Sequence, residues 1–157
     1  MLLLALWTAT AVEEEPEDEM AATVAVRRWI RGRLASDATI TSVVGNRIFH
    51  GVAPTGTPFP FIVYQMISPG SHRYAMNGNH GWSDPQFQVK GVSKDSSTDL
   101  ETIADQIHTL IHHQSGSAQG GTILRCIRTE SIDQPDLIDG VRYFNLGGVY
   151  RITVQEA

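Results

Sequence analysis

The chain has 157 residues, 41% apolar and 18% charged, which suits one domain around one core and leaves room for buried subunit contacts. Its single cysteine, Cys126, excludes an internal disulfide and a four-cysteine zinc site, and fits a reducing compartment or an assembly made inside a cell. The net charge of −5 is local: six of the 17 acids lie in residues 13–19, and outside residues 1–19 stand 12 basic against 11 acidic residues, +1, which excludes a binder of nucleic acid by bulk charge.

Residues 2–12 are apolar and run straight into that acidic block. A signal or anchor would need a positive start, and a membrane span a longer apolar stretch. Residues 1–19 are therefore expected to be a poorly ordered acidic extension, the other reading being an arm that docks on a neighbouring subunit. Residues 20–157 are expected to form a single domain. Residues 21–35 predict a helix with an imperfect apolar stripe of Val24, Trp29, Ile30 and Leu34, the remainder crowded by Arg27, Arg28, Arg31 and Arg33. Residues 37–44 predict a short second turn of helix closed by Gly45, and 47–50 a short strand.

Pro54, Pro58 and Pro60 have no backbone donor, so the chain is expected to stay outside any ladder until Phe61. Residues 61–67 are apolar on both alternate sets, which predicts a strand covered on both faces. Residues 68–81 predict a long polar loop containing Tyr74 and Met76, with a turn at Asn77-Gly78. Residues 86–92 alternate as a half-buried antiparallel strand. Thr98-Asp99-Leu100-Glu101 matches a capping box opening a helix to about His113, with Leu100, Ile103, Ile107, Leu110 and Ile111 as its apolar face. Residues 116–121 end it. Residues 122–130 and 142–154 predict strands, with a turn at Asp139-Gly140 and a bulge or bend at Gly147-Gly148. Strands in adjacent runs with short links predict an α+β fold: an antiparallel or mixed sheet of about four to five strands, with two main helices packed on one face.

Catalytic patterns are missing. No nucleophile elbow, phosphate-cradling loop or dinucleotide fingerprint occurs. His108 and His112 share a helix spacing, but Thr109 stands where a zinc protease needs glutamate; they read as capping or solvated residues. Cys126 reads as a small buried side chain. Asp133, Asp136 and Asp139 lack the glycine and terminal glutamate of a calcium loop and read as a polar connection. The expectation is no enzyme, no metal and no cofactor, with a hydrolase or metal site built from His72, His80 and Asp84 as the rival. Four arginines within seven residues read either as a solvated helix face or as a contact for an acidic partner.

The run Thr39, Ser42-Val43-Val44-Gly45-Asn46-Arg47-Ile48-Phe49, then Ala53-Pro54, then Pro58-Phe59-Pro60-Phe61-Ile62-Val63-Tyr64-Gln65 resembles the tail-completion, or tail-terminator, family of long-tailed bacteriophages and prophages. The resemblance continues through the strand at 86–89, the helix at 97–113 and the last strand, covering about residues 22–155. It implies a virion protein of the tail or neck, assembled in the host cytoplasm without a membrane. Such a subunit forms a homo-oligomeric, commonly hexameric, ring on the head-proximal end of the tail tube. The ring ends tube polymerisation and meets the tail tube protein and the head-closing connector, and DNA passes through it without sequence recognition. In that setting the prolines would be a rigid bracket for ring contacts. Tyr74, Met76 and Trp82 are candidates for docking on tube or neighbour, and Arg27, Arg28, Arg31 and Arg33 for an acidic partner. Another ring component, a head-tail connector or tube subunit, is the nearer alternative.

Overall fold

The computed structural model describes residues 17–76, 81–94 and 96–156. The expected extension through residue 16, the Asn77-Gly78 turn and His80 lie outside the described residues. Helix α1 (Glu17–Ala35) begins within the acidic block, and α2 (Ala38–Val44) follows. Strands β1 (Ile48–His50), β2 (Phe61–Ser68), β3 (His72–Tyr74), β4 (Gly81–Ser83) and β5 (Gln86–Lys94) lead to α3 (Thr98–Ile111), β6 (Gly116–Ala118), β7 (Gly121–Ile138) and β8 (Val141–Glu156). The class is α+β with a mixed sheet, and the two main helices and the short one after residue 37 are as expected, but eight strands occur among the described residues, more than the four to five expected.

The extra strands have a simple origin. β8 lies between β7 on one side and β5 on the other. β4 meets β8 on the β5 side, through Trp82 with Gln155 and Ser83 with Val154. β4 and β5 are thus one ribbon broken at Asp84-Pro85, and the Pro85 carbonyl still accepts from the Ile152 N–H at 2.9 Å. β3 likewise extends the β2 ribbon and pairs with β4. The expected loop at 68–81 is therefore partly the β3–β4 hairpin.

All pairings are antiparallel except one: β1 runs parallel to β2, Ile48 opposite Ile62. Parallel neighbours need a connection that carries the chain back along the strand. The proline-rich residues 51–60 are that crossover, so their length and stiffness have a reason within the chain. Arg47 fixes its end, donating from Nε to the Pro60 carbonyl (3.0 Å) and from Nη2 to the Val43 carbonyl (3.2 Å). Phe59 lies 5.2 Å from Phe61 and 5.8 Å from Tyr143, ring to ring, and Phe49 is edge-on to Phe61 at 6.1 Å. This lid covers Phe61, and Val63 is buried too, while Ile62 and Tyr64 join the core beneath the helices. The strand is covered on both faces only over those four residues; Met66 and Ile67 are exposed.

The core lies between the sheet and the helices. α3 buries Leu100, Ile103, Ile107 and Ile111 at helical spacing, each worth roughly 1.5–3 kcal/mol of apolar transfer. Gly91 on β5 makes room for α3: a Cβ there would sit 2.9 Å from Leu100 Cδ2 and 3.2 Å from Ile103 Cγ2. The α1 stripe is Ala22, Ala25, Val26, Trp29, Ile30 and Leu34, and Val24 is only half-buried. It looked imperfect because alanine fills its first half and carries little apolar signal. α2 is capped at Asp37, whose Oδ1 accepts the Ile40 N–H and whose Oδ2 accepts from Gln106 Nε2 on α3. Gly45 closes it at φ 59°.

Three local expectations are corrected. α3 starts one residue earlier than the capping box implies: Ser97 is the cap, without a side-chain hydrogen bond, and the Thr98 N–H goes to Ser96 Oγ. β8 runs unbroken through Gly147-Gly148, and the irregularity lies opposite, in β7 between Arg128 and Glu130. The glycine at 147 instead permits close approach, since a Cβ would sit 2.1 Å from the Val89 carbonyl oxygen. Residues 131–138 are strand, not a polar connection, and the hairpin closes at Asp139-Gly140 with φ of 51° and 77°, the signs of a type I′ turn.

Candidate assembly surfaces

The arginines of α1 do not form a uniform solvated face. Arg31 Nη1 donates to the Ile48 carbonyl at 2.7 Å and Arg28 Nη1 to the Gln119 carbonyl at 3.1 Å. Arg33 reaches the Leu110 carbonyl at 3.0 Å and Gln114 Oε1 at 3.1 Å. Each ties α1 to a neighbouring segment by a charge-assisted hydrogen bond. Arg27 differs: its Nε is buried without a hydrogen-bond partner among the described residues. Arg27, Arg28 and Arg31 line a cleft of about 250 Å³ with Val24, His50 and Tyr64. The His50 ring sits 5.4 Å from Tyr64, and burial, with the Arg27 charge second, lowers its pKa from the ordinary 6.5. The cleft is a guanidinium donor surface with an apolar floor, and it suits an anionic acceptor.

Tyr74, Met76 and Trp82 gather at the β3–β4 hairpin. Tyr74 and Met76 are exposed, and Trp82 is half-buried. Trp82 walls two clefts. One, of about 280 Å³, includes Arg73, Asp84, Arg125 and Arg151; the other, of about 300 Å³, includes Ala75, Leu124 and Gln155. The three arginines beside this tryptophan went unnoticed in the sequence because they come from three separate strands.

Of the rival site, His80 lies outside the described residues, and the other two members are engaged elsewhere. His72 Nε2 lies 3.3 Å from Glu156 Oε1, and Asp84 Oδ1 accepts from Thr153 Oγ1 at 2.7 Å, so each has another partner. No group of three or more His, Cys, Asp or Glu side chains among the described residues is placed to hold a metal ion. Burial pushes the Cys126 thiol up to about 12, far from thiolate chemistry. His108 and His112 stack at 4.4 Å, and His112 Nδ1 accepts the Arg128 backbone N–H at 3.0 Å. His112 is the C-cap of α3, as the capping reading has it, but its ring is not a charged imidazolium: an accepting nitrogen is unprotonated, and burial first, then the charges of His113, His108 and Arg128, lowers the His112 pKa. His112 therefore ties the end of α3 to β7 in its neutral form.

That tie marks a boundary along β7. Up to Arg128 the outer edge is covered, by β6 over residues 121–123 and by His113, whose N–H donates to the Cys126 carbonyl at 2.8 Å. From 129 to 138 β7 pairs with β8 and with no further strand among the described residues. This open edge carries Glu130, Asp133 and Asp136, and Leu137 and Ile138 are exposed on it. Asp136 is partly held, accepting from Asn145 Nδ2 at 2.8 Å. Pro135 fits here, because a proline is tolerated where only one side of a strand is paired. It was the one sequence sign of an edge.

A family model described as tail completion protein gp17 matches residues 28–143. The chain belongs to that family. It is thus a structural protein of phage-type tails, a virion component. Among solved structures, a chain of the virion of a native gene transfer agent particle superposes with a TM-score of 0.61 at 15% identity, over 87% of this chain and 98% of its own. A second solved chain, with no stated function, gives 0.52 at 15% identity over 88% and 96%. At such identities the likeness is one of fold. No curated protein matches the sequence. No described helix is long and apolar enough to cross a membrane.

Proposed function

We propose that this family member forms a ring, of the hexameric kind, on the head-proximal end of a completed tail tube. The ring ends tube polymerisation and offers its far surface to the head-closing connector, with DNA passing through it unread. Membership of the tail completion family over residues 28–143 carries the reading. The open β7 edge and the arginine cleft support it, because subunits that close a ring need unlike surfaces able to meet. Tyr74, Met76 and Trp82 would face tube or neighbour.

Inactivating the gene in its phage or prophage and imaging the lysate by negative-stain electron microscopy tests this. Overlong tails beside filled, unattached heads are expected. Tails of normal length with unjoined heads would transfer the protein to the connector, and intact infectious particles would refute a structural role in the tail.

A further inference from the structure

We propose that the open edge of β7 in one copy of the chain seats in the arginine cleft of α1 and β1 in a second copy, joining subunits head to tail. This inference rests on the ring reading and names its contact.

The two surfaces complement each other in charge. The edge presents Glu130 and Asp133, both exposed, on a stretch of backbone with no strand beyond it among the described residues. The cleft presents Arg27, Arg28 and Arg31. Guanidinium groups only donate, while carboxylates and edge carbonyls accept. The buried Arg27 Nε has no acceptor among the described residues, and a second copy's edge brings acceptors to it. Exposed Leu137 matches the apolar floor of Val24 and Tyr64.

The same charges rule out the simplest alternative. An open strand edge tends to pair with its own kind, but two copies of this edge would bring like acids together. The edge therefore rejects itself and selects a cationic surface. The two surfaces also belong to opposite sides of the sheet, β1 at one end of the strand order and β7 beyond β8 at the other. A contact between opposite sides is heterologous, and repeated with a closing rotation it makes a ring.

The test uses the full chain and two charge-reversed forms: a cleft form, Arg27→Glu with Arg28→Glu, and an edge form, Glu130→Arg with Asp133→Arg. Assembly is followed by sedimentation velocity at low salt, and folding by circular dichroism and thermal melting. Each form alone should assemble about tenfold more weakly or worse. An equimolar mixture should recover assembly, because each form then meets its opposite on both sides. Wild-type assembly unaffected by either reversal, or folded forms whose mixture stays monomeric, overturns the contact and leaves the ring reading standing. Should a reversed form fail to fold, the chain carrying Arg28→Cys with Asp133→Cys decides: a ladder of disulfide-linked copies supports the contact, and no ladder from oligomeric protein overturns it. Wild-type protein that stays monomeric at every concentration, with no ladder from the double-cysteine chain, sinks both readings together.

Discussion

At one side of the sheet β1 is three residues long, and its Ile48 carbonyl is held by Arg31. At the other, β7 runs for 18 residues and, among the described residues, leaves 129–138 without a further strand. A short strand pinned by an arginine offers little template for another chain; a long open strand offers much, and natural proteins guard it with charge. The first edge is finished inside the subunit. The second is guarded by acids and remains usable by a partner of opposite sign. The difference shows which edge offers its backbone to a partner and which does not.

Substitutions should grade along this contrast, from the sheet centre through the closed edge to the open one. Gly147→Ala at the centre should cost the most, about 3 kcal/mol by overpacking against β5, read as a lowered urea midpoint. A loss under about 0.5 kcal/mol, the level of a neutral surface change, would mean the strands part without strain there. Arg31→Ala at the closed edge should cost about 1–2 kcal/mol, by losing a charge-assisted bond to a partly buried carbonyl. It should also make the protein stickier, by light scattering, as β1 is uncovered; unchanged scattering would deny Arg31 the guarding role.

The boundary between covered and open β7 should respond to pH. His108 and His112 have pKa values lowered from 6.5 by burial first, so folding favours their neutral forms. Their contribution is complete above about pH 6.5 and is lost as pH falls through the lowered values. Urea midpoints should fall between pH 7.5 and 5.5, with a shallower fall in His112→Ala, and identical slopes would break the link. The smallest effect is expected at the open edge: Leu137→Ser should change monomer stability by no more than about 0.5 kcal/mol. A larger loss would show that the hairpin tip packs against its own subunit.

How far each region was legible follows from what holds it. α3, β5 and β8 announce themselves because one face is buried against a continuous core, which stamps a period of 3.6 or 2 on the residues. Residues 131–138 carry no such stamp. Among the described residues their strand partner is β8 alone and none of them joins the core, so a strand there looks like a polar loop. The parallel placing of β1 beside β2 was equally hidden, since the prolines reveal a stiff detour but not where it returns. Among the candidate site residues, Tyr74 and Met76 are exposed, which the reading of 68–81 as a polar loop left open. The α1 arginines were not separable by sequence, because spacing cannot say which guanidinium finds a carbonyl and which, like Arg27, has a nitrogen left over.

By itself, then, the amino-acid order determined the local elements, the Asp139-Gly140 turn, the inert buried cysteine and the family resemblance, because these depend on neighbours in the chain and on periodic burial. Only the tertiary structure decided the strand order, the parallel crossover beneath Phe59, the neutral tie of His112 to β7 and the open acidic edge. Each of those is a pairing between segments distant in the chain, and pairing of that kind leaves a mark in the sequence only where it buries a side chain.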